Sequence, residues 1–427
     1  MTDPVLVAAR FLFFLLGGVS LVLPLRWALF SYLLLTQVSV FSPGFASATS
    51  VGWENAAKVL LIPTVLLIRY RWAPHSPTQP VELSRWWLAL VAYVILASLW
   101  SPFPLSAVKM IGYLYCYSVL FLLFRHAWRE SWFTQGFLVA NLYFVLGLAI
   151  VQTYIFHGFF SADGRFSTFS DGQSTAAYLI CMLTLLLFHR RKGVIYWIAL
   201  FSALCGILLT GSRYVFIGLA VLILLSPFGL FEQSSQPNFA KRAKMMAAAL
   251  LGIFLMGGYV VRFAPENRLN QLIEYTLSQS ASYEDVGTLA WRMLIYQSAL
   301  QELQERNGSR WFFGSGTSSS ADVLLEVDRY SYTPDDVDGN RSMHDEFLRA
   351  FYEWGVPGFV FFVFFLASTL VFCLKKAIRQ RCKPAWAYLA IFPTLLLGLT
   401  FENILANAGQ PAGTGYLLVL TYSATAR

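Results

Sequence analysis

The sequence predicts an all-α polytopic membrane protein with about 12 transmembrane helices and one large, partly helical loop near its C-terminal third. Three observations predict this. The 427 residues are 57% hydrophobic and 17% aromatic but only 13% charged, where a soluble chain carries roughly a quarter. Mean hydropathy is +0.57, and the shortage of charge runs from Val5 to Tyr422. Apolar stretches of about 17–25 residues, long enough to cross the hydrocarbon core as helix, recur between short polar interruptions.

Taken in order, the candidate spans are 8–24, 27–42, 53–69, 85–100, 105–124, 134–156, 174–189, 194–210, 213–230, 245–262, 346–373 and 384–402. A last apolar segment, 414–425, is either another span or a surface helix. The first run has no small-residue cleavage site after it and is expected to be an uncleaved span. Basic residues cluster in short loops: Arg69 and Arg71, Arg125 to Arg129, His189 to Lys192, Lys241 to Lys244, and Lys375 to Lys383. The positive-inside rule makes these cytoplasmic. Segments 43–52, 101–104, 157–173, 263–345 and 403–413 then fall on the opposite, periplasm-like side. Strict counting backwards puts the N-terminus on that side too, unless the first two apolar runs form one span plus an interfacial piece. The chain thus divides into N-terminal transmembrane helices (1–262), a large loop (263–345) and C-terminal transmembrane helices (346–427).

The net charge of +8 does not indicate nucleic acid, because the cations sit in the loops between spans. The five cysteines, Cys116, Cys181, Cys205, Cys373 and Cys382, avoid the long loop and show no metal-ligand spacing.

The 263–345 loop is too long for a plain connector. Within it, Leu289, Met293, Tyr296, Leu300 and Leu303 recur at spacings of three and four, which suits an amphipathic helix over Gly287–Glu305 lying on the membrane face. Ser315 to Ser320 and Asp335 to Asn340 are turn-rich breaks. The second invites a calcium reading but fails the EF-hand pattern, since Pro334 occupies the first ligand position and Asp345 the twelfth. No metal is expected.

Of the five histidines, His75, His126 and His189 fall in the cytoplasmic loops and are expected to be solvated, and His157 ends a span on the outer side. His344 alone combines the outer side with the long polar loop. It either caps and packs the next helix or serves as a base near neutral pH. Arg213 stands between two apolar runs at the outer boundary, either as a snorkelling anchor or as a planar fork for phosphate oxygens. The Gly211-Ser212 break leaves a helix N-terminus at the same surface. Arg292, beside Trp291, is either on a solvated helix face or part of a positive outer rim with Arg262, Arg268 and Arg341. Such a rim runs against the usual charge bias and asks for an anionic ligand.

These features together resemble the O-antigen ligase and polymerase superfamily. His344 to Gly355 fits its His-x10-Gly motif where the long loop re-enters the membrane. Arg213 to Ile217 fits Arg-x3-Leu with isoleucine in place of leucine. The layout covers nearly the whole chain, although each motif is short. Within the superfamily the chain looks most like the lipopolysaccharide O-antigen ligases. The resemblance implies a multi-pass enzyme of the bacterial inner membrane, active on the periplasmic face through its large periplasmic loop. It implies transfer of a glycan from undecaprenyl pyrophosphate to a sugar hydroxyl of lipid A–core, without metal, nucleotide or other cofactor. Its partners would be that donor, that acceptor and membrane lipids, with no nucleic acid. By the same resemblance Arg213 and His344 take the motif positions; Arg292 is matched by position only. A polymerase of O-antigen or exopolysaccharide and a protein O-oligosaccharyltransferase share the layout. A flippase is the non-enzyme alternative, though the paired halves common among transporters are not evident.

Overall fold

A computed structural model of the chain describes residues 4–38, 53–72, 84–155, 166–168, 172–189, 193–230, 283–306, 308–323, 343, 345–380, 382–401, 404–405 and 410–425. Every regular element among these residues is helical, so the all-α class holds. The chain is a polytopic membrane protein. In order the helices are α1 (Pro4–Val22), α2 (Leu25–Leu35) and α3 (Trp53–Ala56), which passes through a π turn (Ala57–Leu61) into α4 (Ile62–Trp72). Next come α5 (Arg85–Ala97), α6 (Pro104–Arg129), α7 (Gln135–Ile150), α8 (Gly172–Phe188), α9 (Gly193–Thr210) and α10 (Arg213–Leu230). The series closes with α11 (Tyr283–Glu305), α12 (Gly308–Phe313), α13 (Glu346–Arg379), α14 (Lys383–Phe401) and α15 (Pro411–Thr425). The candidate span 245–262 lies outside the described residues.

Among the described residues four helices are individually long and apolar enough to cross a membrane: α6, α7 with the π turn that extends it, α9 and α13. Shorter apolar helices pack around them. Helix α9 shows why a bilayer is needed. Val194, Ile195 and Phe201 on its outer face are 73%, 67% and 67% exposed, which only a lipid solvent tolerates over such a length.

Helix α15 resolves the alternative left by segment 414–425. It is not a surface helix: Ala412, Tyr416, Leu418, Val419 and Tyr422 are all buried, and it packs against α6, α8 and α14. An apolar surface on every side is what a fully enclosed helix requires.

The two ends of the bundle differ in chemistry. At one end Arg69 donates to the carbonyls of Ser20 (3.2 Å), Leu21 (3.0 Å) and Leu23, which end α1. Lys376 does the same for Ser423 and Ala424 at the end of α15 (3.4 and 3.0 Å). Cations there offset the negative end of each helix dipole. The Tyr70 and His126 rings meet at 4.8 Å and those of Trp128 and Tyr422 at 4.6 Å, joining the ends of α4, α6 and α15. Since α1 ends here, it runs towards the basic end. At the other end Ser101 donates to the Thr317 carbonyl, Glu346 accepts from the Leu405 amide, and Tyr296 donates to the Thr400 carbonyl.

His126 is a correction. It is not a solvated loop residue but part of α6, 8% exposed, and set edge-on to Tyr70 and Trp132. His189 is likewise half-buried near Trp128 and Tyr422. The basic neighbours of both mark the membrane boundary, but the apolar packing continues past them.

Helices α10 and α14 cross at Gly218. A methyl group there would strike Thr394 Oγ1, with Thr394 Cβ only 2.7 Å away. Small residues at such crossings let helix backbones approach in lipid. Gly218→Leu is therefore expected to destabilise the protein by about 1–3 kcal/mol through overpacking. Thermal unfolding in detergent would measure it, and an unchanged midpoint would mean that the crossing is not tight.

Candidate functional site

The site lies where α13 begins. Asp345 caps the helix, its Oδ1 accepting the amides of Phe347 (2.8 Å) and Leu348 (2.9 Å), the arrangement expected at an N-cap. Burial raises the Asp345 carboxyl above its usual range, and those two amides oppose the rise. Nine residues into α13 the helix breaks at Gly355 (φ 59, ψ −159). The reason is a close approach: a side chain on Gly355 would strike the Phe312 carbonyl, and its positive φ also favours glycine. Pro357 follows, where the restarting helix has no use for an amide donor.

The break frees carbonyls that the membrane boundary cannot leave bare. Ser315 donates its amide to the Tyr352 carbonyl (3.1 Å) and Gly316 to that of Glu353 (2.9 Å). Arg306 reaches the Tyr352 carbonyl as well, at 3.2 Å. Segment 315–320, read from sequence as a turn-rich break, is a largely buried turn wedged between α5 and α13. Thr317 fastens it to α5 by donating to the Val94 carbonyl at 3.0 Å.

Three charged side chains lie along one face of the outer part of α13. Arg349 Nε donates to Glu353 Oε1 (3.0 Å), and its Nη1 lies 3.5 Å from Glu346 Oε2. Its Nη2 contacts Met110 Sδ at 3.6 Å. All three are at most 1% exposed. Glu353 also accepts the Ser318 amide (2.8 Å) and the Ser320 hydroxyl (2.5 Å), while Glu346 accepts the Leu405 amide (2.9 Å). The guanidinium of Arg349 is thus engaged by two carboxylates. Its part is to hold the corner together rather than to bind a ligand. None of these residues was singled out from sequence. The signal was present in Glu346, Arg349 and Glu353, at i, i+3 and i+7 on the edge of an apolar span.

Helix α11 docks over this corner. Ile295, Ala299 and Leu303 pack with Val323, Met343 and Tyr352. The buried stripe differs in part from the expected one: Leu303 belongs to both and Tyr296 packs against it, whereas Leu300 is 50% exposed. Glu302 accepts from Tyr352 Oη (2.5 Å) and Arg306 (2.9 Å), and the Arg306 guanidinium lies 3.6 Å over the Tyr352 ring. Burial and the neighbouring Glu302 charge raise the Asp322 carboxyl, and Arg306 opposes them.

The sequence-derived candidates are placed as follows. His344 lies outside the described residues, but both its neighbours are pinned, Met343 in the α11 cluster and Asp345 at the cap. Arg213 opens α10 two residues after Gly211, whose φ is +64. Its neighbour Tyr214 donates to the Gln173 carbonyl at 3.3 Å, which sets the start of α10 beside that of α8. Arg292 is half-buried on α11, one turn before Tyr296, whose hydroxyl meets the end of α14 at Thr400. The same end of α14 approaches Tyr214, 3.6 Å from where a Gly398 side chain would begin. Helices α10 and α11 thus bring their arginine positions to one end of the bundle. Arg262, Arg268, Arg341 and the segment Asp335–Asn340 lie outside the described residues.

Residues 198–363 match the family model described as O-Antigen ligase. Over that segment, somewhat under half of its length, the chain is similar to the O-antigen ligase family. No curated protein gives a significant match. The O-antigen ligase segment runs from α9 into α13. It contains Arg213, Arg292, His344 and Gly355 together with the Glu346–Arg349–Glu353 corner. Family members are glycosyltransferase-like ligases and polymerases that handle lipid-linked glycans in membranes.

Truncating Glu353 would leave the buried Arg349 with one carboxylate and the 317–320 loop without its acceptor. Glu353→Ala is expected to cost about 3–5 kcal/mol, read as a fall in the thermal midpoint in detergent. A variant as stable as the parent would show that the corner is not held through this side chain.

Proposed function

We propose that the protein is an O-antigen ligase, moving a polysaccharide from undecaprenyl pyrophosphate to a sugar hydroxyl of lipid A–core on the periplasmic face of the bacterial inner membrane. The observation that carries the reading is the O-antigen ligase match over 198–363, which holds both motif positions in one segment. The convergence of α10 and α11 at the end opposite the basic loops supports it. The positive-inside rule makes that end periplasmic.

The chemistry follows from residue types. Carbon 1 of the donor sugar already bears a good leaving group. His344 removes the proton from the acceptor hydroxyl, the oxygen attacks carbon 1, and the bond to the pyrophosphate oxygen breaks with inversion. Undecaprenyl pyrophosphate departs, and the imidazolium later releases its proton to water. Arg213 and Arg292 offset the charge that grows on the departing pyrophosphate, with Arg262, Arg268 and Arg341 as a possible outer rim of further cations. Proton transfer requires a base at a fixed position, and the residues on either side of His344 are a buried Met343 and the capping Asp345.

Three measurements test this. His344→Ala is expected to lower transfer by about 10²–10⁴-fold while membrane expression is kept; undiminished transfer would remove the base from the mechanism. Arg213→Lys keeps the charge and loses the fork, so it should weaken donor use; full activity would leave Arg213 as a lipid anchor. Purified enzyme given lipid-linked glycan with lipid A–core should glycosylate the core. Chain extension with lipid-linked units alone would make it a polymerase, glycan on a periplasmic protein an oligosaccharyltransferase, and movement of donor without bond formation a flippase.

A further inference from the structure

A cavity of about 680 Å³ lies between α5, α6, α13, α14 and α15, within the roughly 300–1,000 Å³ typical of built ligand sites. Most of its wall is apolar, including Phe121, Phe362, Phe365, Leu395, Leu417 and Leu420. Along α13 the lining runs from Phe362 to Phe372, about 15 Å of helix at about 1.5 Å per residue. That is about half of the roughly 30 Å hydrocarbon core, and the lining continues to Ile404 and Leu405 beside the outer corner. The lining is polar and cationic at the mouth formed where Ser84 and Arg125 stand. Lys376, just outside the lining and one turn beyond Phe372, donates to the Ser423 and Ala424 carbonyls and is close enough to feel the Arg125 charge. None of the residues lining the cavity is acidic. This mouth belongs to the basic end of the bundle, where Arg69 and Lys376 cap helix ends.

We propose that this cavity binds one anionic phospholipid of the cytoplasmic leaflet, with an acyl chain between the helices and the phosphate at Arg125 and Lys376. Basic pockets between transmembrane helices on the cytoplasmic side suit anionic headgroups. The apolar wall from Phe372 to Phe362 suits an acyl chain entering from that side. A pyrophosphate held near Arg213 would lie towards the far end of the cavity, where Ile404 and Tyr416 of its lining meet Tyr214 around Gly398. A phosphate at Arg125 and Lys376 uses none of the residues proposed for transfer.

The test uses the full-length protein in detergent, titrated with dioleoyl phosphatidylglycerol or dioleoyl phosphatidylcholine. Native mass spectrometry reads the bound lipid and thermal unfolding its effect. One phosphatidylglycerol should be retained in preference to phosphatidylcholine, raising the midpoint. Each cation is worth roughly fivefold in binding, so Arg125→Gln with Lys376→Gln should weaken retention roughly 30-fold. Leu420→Trp, which fills the cavity, should abolish it. Equal retention of the two lipids would overturn the proposal, as would undiminished binding by the double variant, which keeps the test open if Leu420→Trp fails to fold. Displacement by undecaprenyl pyrophosphate would also overturn it, by giving the cavity to the donor.

Discussion

A carboxylate withdrawn from water at the edge of a bilayer must be surrounded by donors. Glu353 meets that condition with the Arg349 guanidinium from its own helix and the Ser318 amide and Ser320 hydroxyl from a loop more than thirty residues upstream. Its backbone serves the same end, because the break at Gly355 frees the Glu353 carbonyl and the Gly316 amide takes it. Side chain and main chain therefore hold one loop by both edges. That loop fastens α5 through Thr317, and the neighbouring Tyr352 gives α11 its landing surface. The outer end of the molecule rests on this contact.

The membrane architecture was legible because span length and charge placement are local properties. The expected span 105–124 lies within α6, and among the described residues the basic groups at 69–71, 125–129 and 375–379 gather at one end. What is decided by a partner was not legible. Segment 414–425 is apolar on every side, which a surface or an enclosed position would produce alike until α6, α8 and α14 are seen around it. Helix α11 carries two interleaved stripes of similar spacing. Only Met343 and Tyr352 select the one through Ile295 and Ala299. His126 looked like a loop residue because its neighbours are basic, yet Tyr70 and Trp132, distant or turned away in sequence, enclose it.

The candidate site shows the same division. Arg213, Arg292 and His344 stood out as polar groups on the wrong side for a simple membrane protein. The residues that build their surroundings did not. Glu346, Arg349 and Glu353 were visible as charges with helical spacing, but their meaning depends on Ser318, Ser320 and Leu405. Without those donors, two buried glutamates around one arginine leave a net negative charge, which low-dielectric surroundings would not hold. The three backbone and hydroxyl donors make the cluster tenable.

The spacing between the motif histidine and glycine then has a physical meaning that a pattern alone does not convey. Asp345 fixes the start of the outer segment of α13, and Gly355 fixes its end against the Phe312 carbonyl. The number of residues between them is the length of that segment. One residue more or fewer would turn the entering chain by about 100° around the helix axis. Met343 would then no longer meet Ile295 and Ala299, and α11 would lose its seat. The spacing is thus a constraint on how α11, with Arg292, is presented to the segment that carries His344. A catalytic role for the histidine adds a second demand on a length already required by packing.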